Sequence, residues 1–192
     1  MSKTVLISIR PQWCEKIVNG EKTIEVRKTR PKLAPPFKAY IYCTMPDAKD
    51  PHNILELHGA DGKIRKANGK VIGEFTCDRI DRLAPANDPY GIYDIDDDYV
   101  FQTCLENGAL WDYGHGTPLY GWHISGLRIY DAPKKLGEFW RDCLEYSELS
   151  TNCWSCENVC GDGDETDCNT DGRLYLHRPP QSWCYVEAVE DE

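Results

Sequence analysis

Residues 20–27 read Gly-Glu-Lys-Thr-Ile-Glu-Val-Arg, and no other stretch constrains the fold of this chain as tightly. An apolar run, Val5–Ile9, and a short helical pattern, Pro11–Asn19, come just before it. Side chains alternate across a strand, so Thr23, Glu25 and Arg27 fall on one face and Ile24 and Val26 on the other. The chain is therefore expected to open as strand, helix, strand, with the aliphatic face of the second strand turned to the core. Lys22, Glu25 and Arg27 would then meet at the lip of a core strand, a place for a polar ligand of anionic or nucleotide-like character. The same spacing also describes an amphipathic strand with a salt-bridged face in water.

Further along, Lys28–Lys38 holds Pro31, Pro35 and Pro36 and reads as a basic loop. Ala39–Thr44 has strong β character. Met45–Asn68 reads as a polar excursion with one helical turn near Asn53–Leu57. Lys70–Ile80 and Trp122–Tyr130 read as strands, and Ser182–Val189 as the closing strand. The acidic run Asp94–Asp98 lacks the spacing of a calcium loop and is expected to cap a helix over Tyr99–Asn107. Leu136, Phe139, Trp140, Cys143 and Leu144 recur at helical spacing and predict a helix within Pro133–Glu145. Strands in succession with short helices, and no βαβ alternation, imply an α+β fold around a small mixed β-barrel with short flanking helices.

A length of 192 residues allows one domain, 1–192, carrying an insertion over 146–177. No apolar run is long enough to span a bilayer, and the first residues lack the apolar core of a signal peptide, so a cytoplasmic protein is expected. The net charge of −10 argues against a general nucleic-acid coat. It is unevenly spread: residues 1–38 carry nine Lys/Arg and three Glu, and the remainder is strongly acidic. The basic charge thus surrounds the octet, which favours a local anion site on an acidic protein.

Six of the ten cysteines lie between residues 143 and 184. Four of them, Cys153, Cys156, Cys160 and Cys168, sit in a segment whose sizeable apolar residues are Trp154 and Val159 alone. So polar a segment cannot order itself by burial. Four thiolates on one structural zinc would supply the missing free energy. Disulfides and free thiols are the alternatives. No organic cofactor is expected, and the insertion offers a surface on which a protein partner could dock.

The octet with Ser8-Ile9-Arg10-Pro11, then Gly69-Lys70-Val71-Ile72-Gly73-Glu74-Phe75, Leu119-Tyr120-Gly121-Trp122-His123-Ile124 and Pro179-Pro180-Gln181-Ser182-Trp183-Cys184-Tyr185-Val186, resembles in order the ASCH domain of the PUA-like group. The resemblance implies a PUA-like barrel with a cleft between the first helix and the Lys-Thr-x-Glu-x-Arg strand, suited to RNA or a modified nucleotide. In that reading Arg10, Lys22, Thr23, Glu25, Arg27 and Trp122 bind the ligand, and Trp13, Tyr120 or Trp183 could stack on a base. A branch of the family looks like amidohydrolases of acetylated cytidine, with a threonine nucleophile where this chain has Glu25. An enzyme here, a hydrolase of a modified nucleoside or of RNA, would instead use Glu25 as general base and Lys22 to stabilise an oxyanion, with Glu106 or His123 as a distal acid or base. A third reading makes the zinc-bound insertion the active surface and the barrel its scaffold.

Overall fold

The computed structural model describes residues 3–48, 50–86, 92–142 and 173–188. Its elements are β1 (Lys3–Ile9), α1 (Pro11–Val18), β2 (Ile24–Arg27), β3 (Phe37–Cys43), β4 (Glu56–His58), β5 (Ile64–Lys66), β6 (Lys70–Leu83), α2 (Asp97–Thr103), α3 (Asn107–Gly114), β7 (Leu119–Lys135), β8 (Trp140–Asp142), β9 (Arg173–Tyr175) and β10 (Trp183–Glu187). Six strands make one mixed sheet in the order β10-β1-β3-β6-β7-β2. β1 and β3 run parallel and the remaining neighbours are antiparallel.

The opening forms as its sequence requires. β1 is apolar on both faces and lies between two neighbours, so six of its seven residues are buried. Pro11 starts α1, where its missing N–H costs nothing. Cys14 and Ile17 bury the inner stripe of this helix, and Gly20 at φ +75° turns the chain into β2. One sheet face holds the main core: Val5, Ile7, Ile9, Ile41, Ile72, Phe75 and Trp122 pack with Cys14 and Ile17 of α1. The opposite face is covered in two places. Leu136 and Phe139 lie over Leu6, Tyr40 and Val71, while Leu110 of α3 lies over Val26 and Leu119.

Register shifts bend β6 along its pairing with β7, and β-bulges of this kind sharpen strand curvature. The sheet curls until its two edges face each other. No strand pair joins β2 to β10 among the described residues, so the expected barrel is not closed by backbone bonds. Side chains span the seam instead. Arg27 of β2 donates to the carbonyl of Ser8 in β1, Trp183 of β10 donates to Thr29 just after β2, and the Tyr185 hydroxyl accepts from the backbone of Lys32.

Three expectations are corrected. The excursion after β3 holds the hairpin β4–β5 and no helical turn; Leu55 and Leu57 enter the core from it. The helix read over Pro133–Glu145 is replaced, up to residue 142, by the end of β7, one 3₁₀ turn at Leu136–Glu138 and β8. A single tight turn is enough to bury Leu136 and Phe139, three residues apart, and Trp140 then pairs with Tyr175 of β9. The helix expected over Tyr99–Asn107 is two helices, α2 and α3, parted where Cys104 takes a left-handed conformation at φ +54°. The Asp96 carboxylate does cap α2 by accepting from the Tyr99 N–H at 2.8 Å.

The zinc expectation at Cys153, Cys156, Cys160 and Cys168 lies outside the described residues. Within them no cluster of His, Cys, Asp and Glu could hold a metal ion, and Cys14, Cys43, Cys77, Cys104 and Cys184 are free thiols. No described helix is long and apolar enough to cross a membrane.

Candidate functional site

The seam is where the octet comes to rest. In β2, Glu25 pairs with Trp122 and Arg27 with Tyr120, which puts these side chains on the inner face. Ile24 and Val26 pair with His123 and Gly121 and point outward, under α2 and α3. The alternation read from sequence is correct, but neither face meets solvent: the aliphatic side is buried, as expected, and so is the charged one. The charged face is interior: Lys22, Glu25 and Arg27 are 2%, 5% and 9% exposed, so this is no solvated salt-bridge face. Thr23 precedes the strand and is exposed, outside the charged group.

Each buried charge is held by a definite partner. Lys22 Nζ donates to the Thr103 carbonyl at 2.5 Å, lies 3.5 Å from Glu25 Oε2 and sits 5.2 Å from the centre of the Trp13 ring. The Thr103 carbonyl belongs to the last turn of α2, the negative end of that helix, which suits an ammonium. Arg27 Nη2 lies 3.1 Å from Glu25 Oε1 and donates to the Ser8 carbonyl at 2.5 Å. Burial pushes the Lys22 ammonium below the ordinary lysine value, and the attraction of Glu25 pulls it partly back. Cys14 lies beneath; burial, then its contacts with Cys43 and Glu25, push its thiol well up, so it adds no charge of its own.

Two features of this group are unbalanced. Two cations share Glu25, the single carboxylate paired with either among the described residues, which leaves one positive charge in excess. Three buried polar atoms also lack hydrogen-bond partners among the described residues: Glu25 Oε2, Arg27 Nε and Trp122 Nε1. At 3.5 Å the Lys22 ammonium attracts Oε2 without forming a good hydrogen bond to it. An unmet buried donor or acceptor costs about 1–3 kcal/mol, so three in one place on two adjacent strands call for a ligand or ordered water.

Aromatic rings lead out from this group. Trp122 is fully buried and packs edge-on to Phe37 at 5.8 Å. Trp183 lies 6.1 Å from Trp122, and Tyr185 lies 5.4 Å from Trp183. Trp13, Tyr120 and Trp183 are half-buried and able to present a ring face; Trp122 is core.

Other expected residues lie elsewhere. Arg10 is exposed at the start of α1 and makes no side-chain hydrogen bond or ion pair among the described residues. Glu106 is exposed at the start of α3. His123 follows Trp122 and therefore points to the opposite face, where its Nε2 lies 2.6 Å from Asp81 Oδ2 and within reach of Arg79. Neither Glu106 nor His123 joins the inner site as a distal acid or base. A separate recess of about 400 Å³ between α1 and β4, bordered by Glu15, Val18, Leu55, His58 and Asp131, contains none of the expected site residues. Sequence reasoning missed the carbonyls of Ser8 and Thr103, which carry no residue-type signal because any residue supplies one.

No family model matches this chain, and no curated protein matches it. Among solved structures it is similar to the ASCH protein of Zymomonas mobilis, with 22% sequence identity over 69% of this chain and 73% of that one and a TM-score of 0.47. A mutant form of the same protein aligns at 21% identity over 70% of this chain and 77% of that one, with a TM-score of 0.48. These structures carry the family name that the ordered motifs of the sequence resemble.

Proposed function

We propose that this chain is an RNA- or nucleotide-binding module whose ligand enters the seam between β2 and β10 and is held by Lys22, Glu25, Arg27 and Trp122. The observation that carries this reading is the trio of unpartnered buried atoms beside an excess positive charge. Arg27 Nε–H and Trp122 Nε1–H are donors, so the ligand must offer two acceptors; Glu25 Oε2 is an acceptor, so the ligand must also offer a donor. A nucleobase edge with a ring nitrogen, a carbonyl and an exocyclic amine meets that requirement, and a phosphate would answer the extra charge. The resemblance of the ordered motifs to a PUA-like ASCH domain points the same way. Lys22 and Glu25 would also be the residues of a hydrolase acting on a modified nucleoside. In such a reaction Glu25 would activate water and the Lys22 ammonium would stabilise the developing oxyanion.

Calorimetric titration with nucleosides and their 5′-monophosphates, wild type beside Arg27→Gln, tests the reading. Binding is expected to favour bases that carry an exocyclic amine next to a ring acceptor, and to fall at least tenfold in the variant. Equal affinity for all bases, or an unaffected variant, would refute it. Mass spectrometry of the same mixtures distinguishes a reader from an enzyme, since an enzyme returns an altered nucleoside that disappears in Glu25→Gln.

A further inference from the structure

The loop that follows β2 carries three exposed cations, Lys28, Arg30 and Lys32, on a chain of net charge −10. None of the three has an acidic partner among the described residues. They are instead set out along aromatic rings. Lys28 Nζ lies 4.9 Å from the centre of Tyr113, and the Arg30 guanidinium 6.0 Å from the centre of Tyr120. The loop is tied to β10 at two points: the Thr29 hydroxyl accepts from the Trp183 indole at 3.0 Å, and the Lys32 backbone N–H donates to the Tyr185 hydroxyl at 2.7 Å. A loop left to itself would fold such long side chains toward the carboxylates that dominate the rest of the surface. Here Lys28 and Arg30 lie over tyrosine rings and none of the three meets a carboxylate among the described residues, so their charges remain available to a partner.

These anchors are the outer members of the aromatic row that starts at Trp122. The row thus runs without a break from the buried polar group to the basic loop, and Arg27, inside the seam, is next in sequence to Lys28. We propose that Lys28, Arg30 and Lys32, with Trp183 and Tyr120, form an extended subsite for a single-stranded nucleic acid: the seam takes one nucleotide, and the loop takes the phosphates of its neighbours in the strand. The proposal rests on the nucleotide reading of the seam and deepens it, because a free nucleoside has no use for the loop. Half-buried rings alternating with unpaired cations match what a single strand offers, stacked bases and a regular phosphate backbone. A duplex keeps its base faces stacked on one another and has none to give to Trp183 or Tyr120.

Fluorescence anisotropy with a labelled eight-nucleotide single-stranded RNA tests this, using wild type, the triple variant Lys28→Ala/Arg30→Ala/Lys32→Ala, and Arg27→Gln. All three loop side chains are exposed, so the triple variant should fold as wild type, which its circular dichroism spectrum checks. It should bind the oligonucleotide about tenfold or more weakly at low salt, and its log-log salt slope should be shallower by about 2, the share of three phosphate contacts on a single strand. Its affinity for a mononucleotide should match wild type. An oligonucleotide affinity unchanged in the triple variant but lost in Arg27→Gln overturns the subsite and leaves the seam reading intact. Loss in the triple variant with no effect of Arg27→Gln overturns the seam reading and with it the extended subsite, leaving the loop as a separate strand-binding surface. Equal binding of duplex RNA overturns the single-strand assignment, and no binding of RNA by wild type overturns both.

Discussion

The charge imbalance in the seam makes a prediction that contact-counting would not. Glu25→Gln and Lys22→Met each remove one buried charge, but the first breaks two ion pairs and the second only one, and they should differ widely in cost. Without Glu25 the Lys22 ammonium and the Arg27 guanidinium face each other out of water with no anion, and breaking a buried pair in this way costs about 3–5 kcal/mol. Without the Lys22 charge, Glu25 and Arg27 remain a neutral pair 3.1 Å apart. The loss is then the hydrogen bond to the Thr103 carbonyl, about 1.5–3 kcal/mol, offset by relief of burying an ammonium at 2% exposure. The net cost of Lys22→Met is therefore about 0–2 kcal/mol. In urea, with a slope of about 2 kcal/mol per molar, Glu25→Gln should lower the midpoint by about 1.5–2.5 M and Lys22→Met by less than about 1 M. The double variant should be more stable than Glu25→Gln alone, a coupling of about 1–3 kcal/mol. Additive costs, or a Lys22→Met variant as unstable as Glu25→Gln, would show that the seam holds no excess charge.

Three further outcomes follow from the geometry. Because the Lys22 value lies below its ordinary 10.5, the folded state loses that proton first; across the interval up to 10.5 stability should rise with pH while affinity for an anionic ligand falls, and both trends should vanish in Lys22→Met when unfolding and binding are followed against pH. Gly121→Ala should cost about 2–3 kcal/mol, since a Cβ there collides with the Tyr99 hydroxyl; Tyr99→Phe, which removes a buried hydroxyl that has no partner, should be near neutral alone and recover part of that loss, as read from thermal midpoints. Asp96→Ala should remove the α2 cap at a cost of about 1 kcal/mol and weaken ligand binding, because the carbonyl that holds Lys22 closes the same helix.

Much of the fold could be read in the chain, and the reasons for the rest are physical. Strands with β-branched alternation and a helix opened by Pro11 and closed before Gly20 are local patterns with local causes, and they stand where the pattern puts them. The octet's two faces follow from strand period alone. Whether a face meets water depends on what covers it, and in β2 both are covered, by α1 and Trp122 on the charged side and by α2 and α3 on the aliphatic side. A run of charged residues was therefore legible as a group and illegible as buried. The spacing of Leu136 and Phe139 misled for a related reason: three residues apart satisfies one 3₁₀ turn as well as a helix, and pairing of Trp140 with Tyr175 settles the choice from outside the segment. His123 sits next in sequence to Trp122 yet faces the other way, which period two does disclose once the strand is recognised.

The seam also sets when in the life of the chain the site can exist. Lys22 meets its carbonyl 81 residues downstream, and Thr29 receives the Trp183 indole from 154 residues away. A ribosome that has just released the octet has therefore made its charges but none of the walls that enclose them. Until the end of α2 and β7 arrive, Lys22 lacks its carbonyl and Glu25 has no Trp122 beside it, and until the last strand arrives the seam has only one edge. Loop closures of this length come late and gain nothing until they are complete. A shortened chain that ends before β10 would keep the whole octet and lack one wall of the seam, so the seam is enclosed only once β10 has been made and has paired with β1.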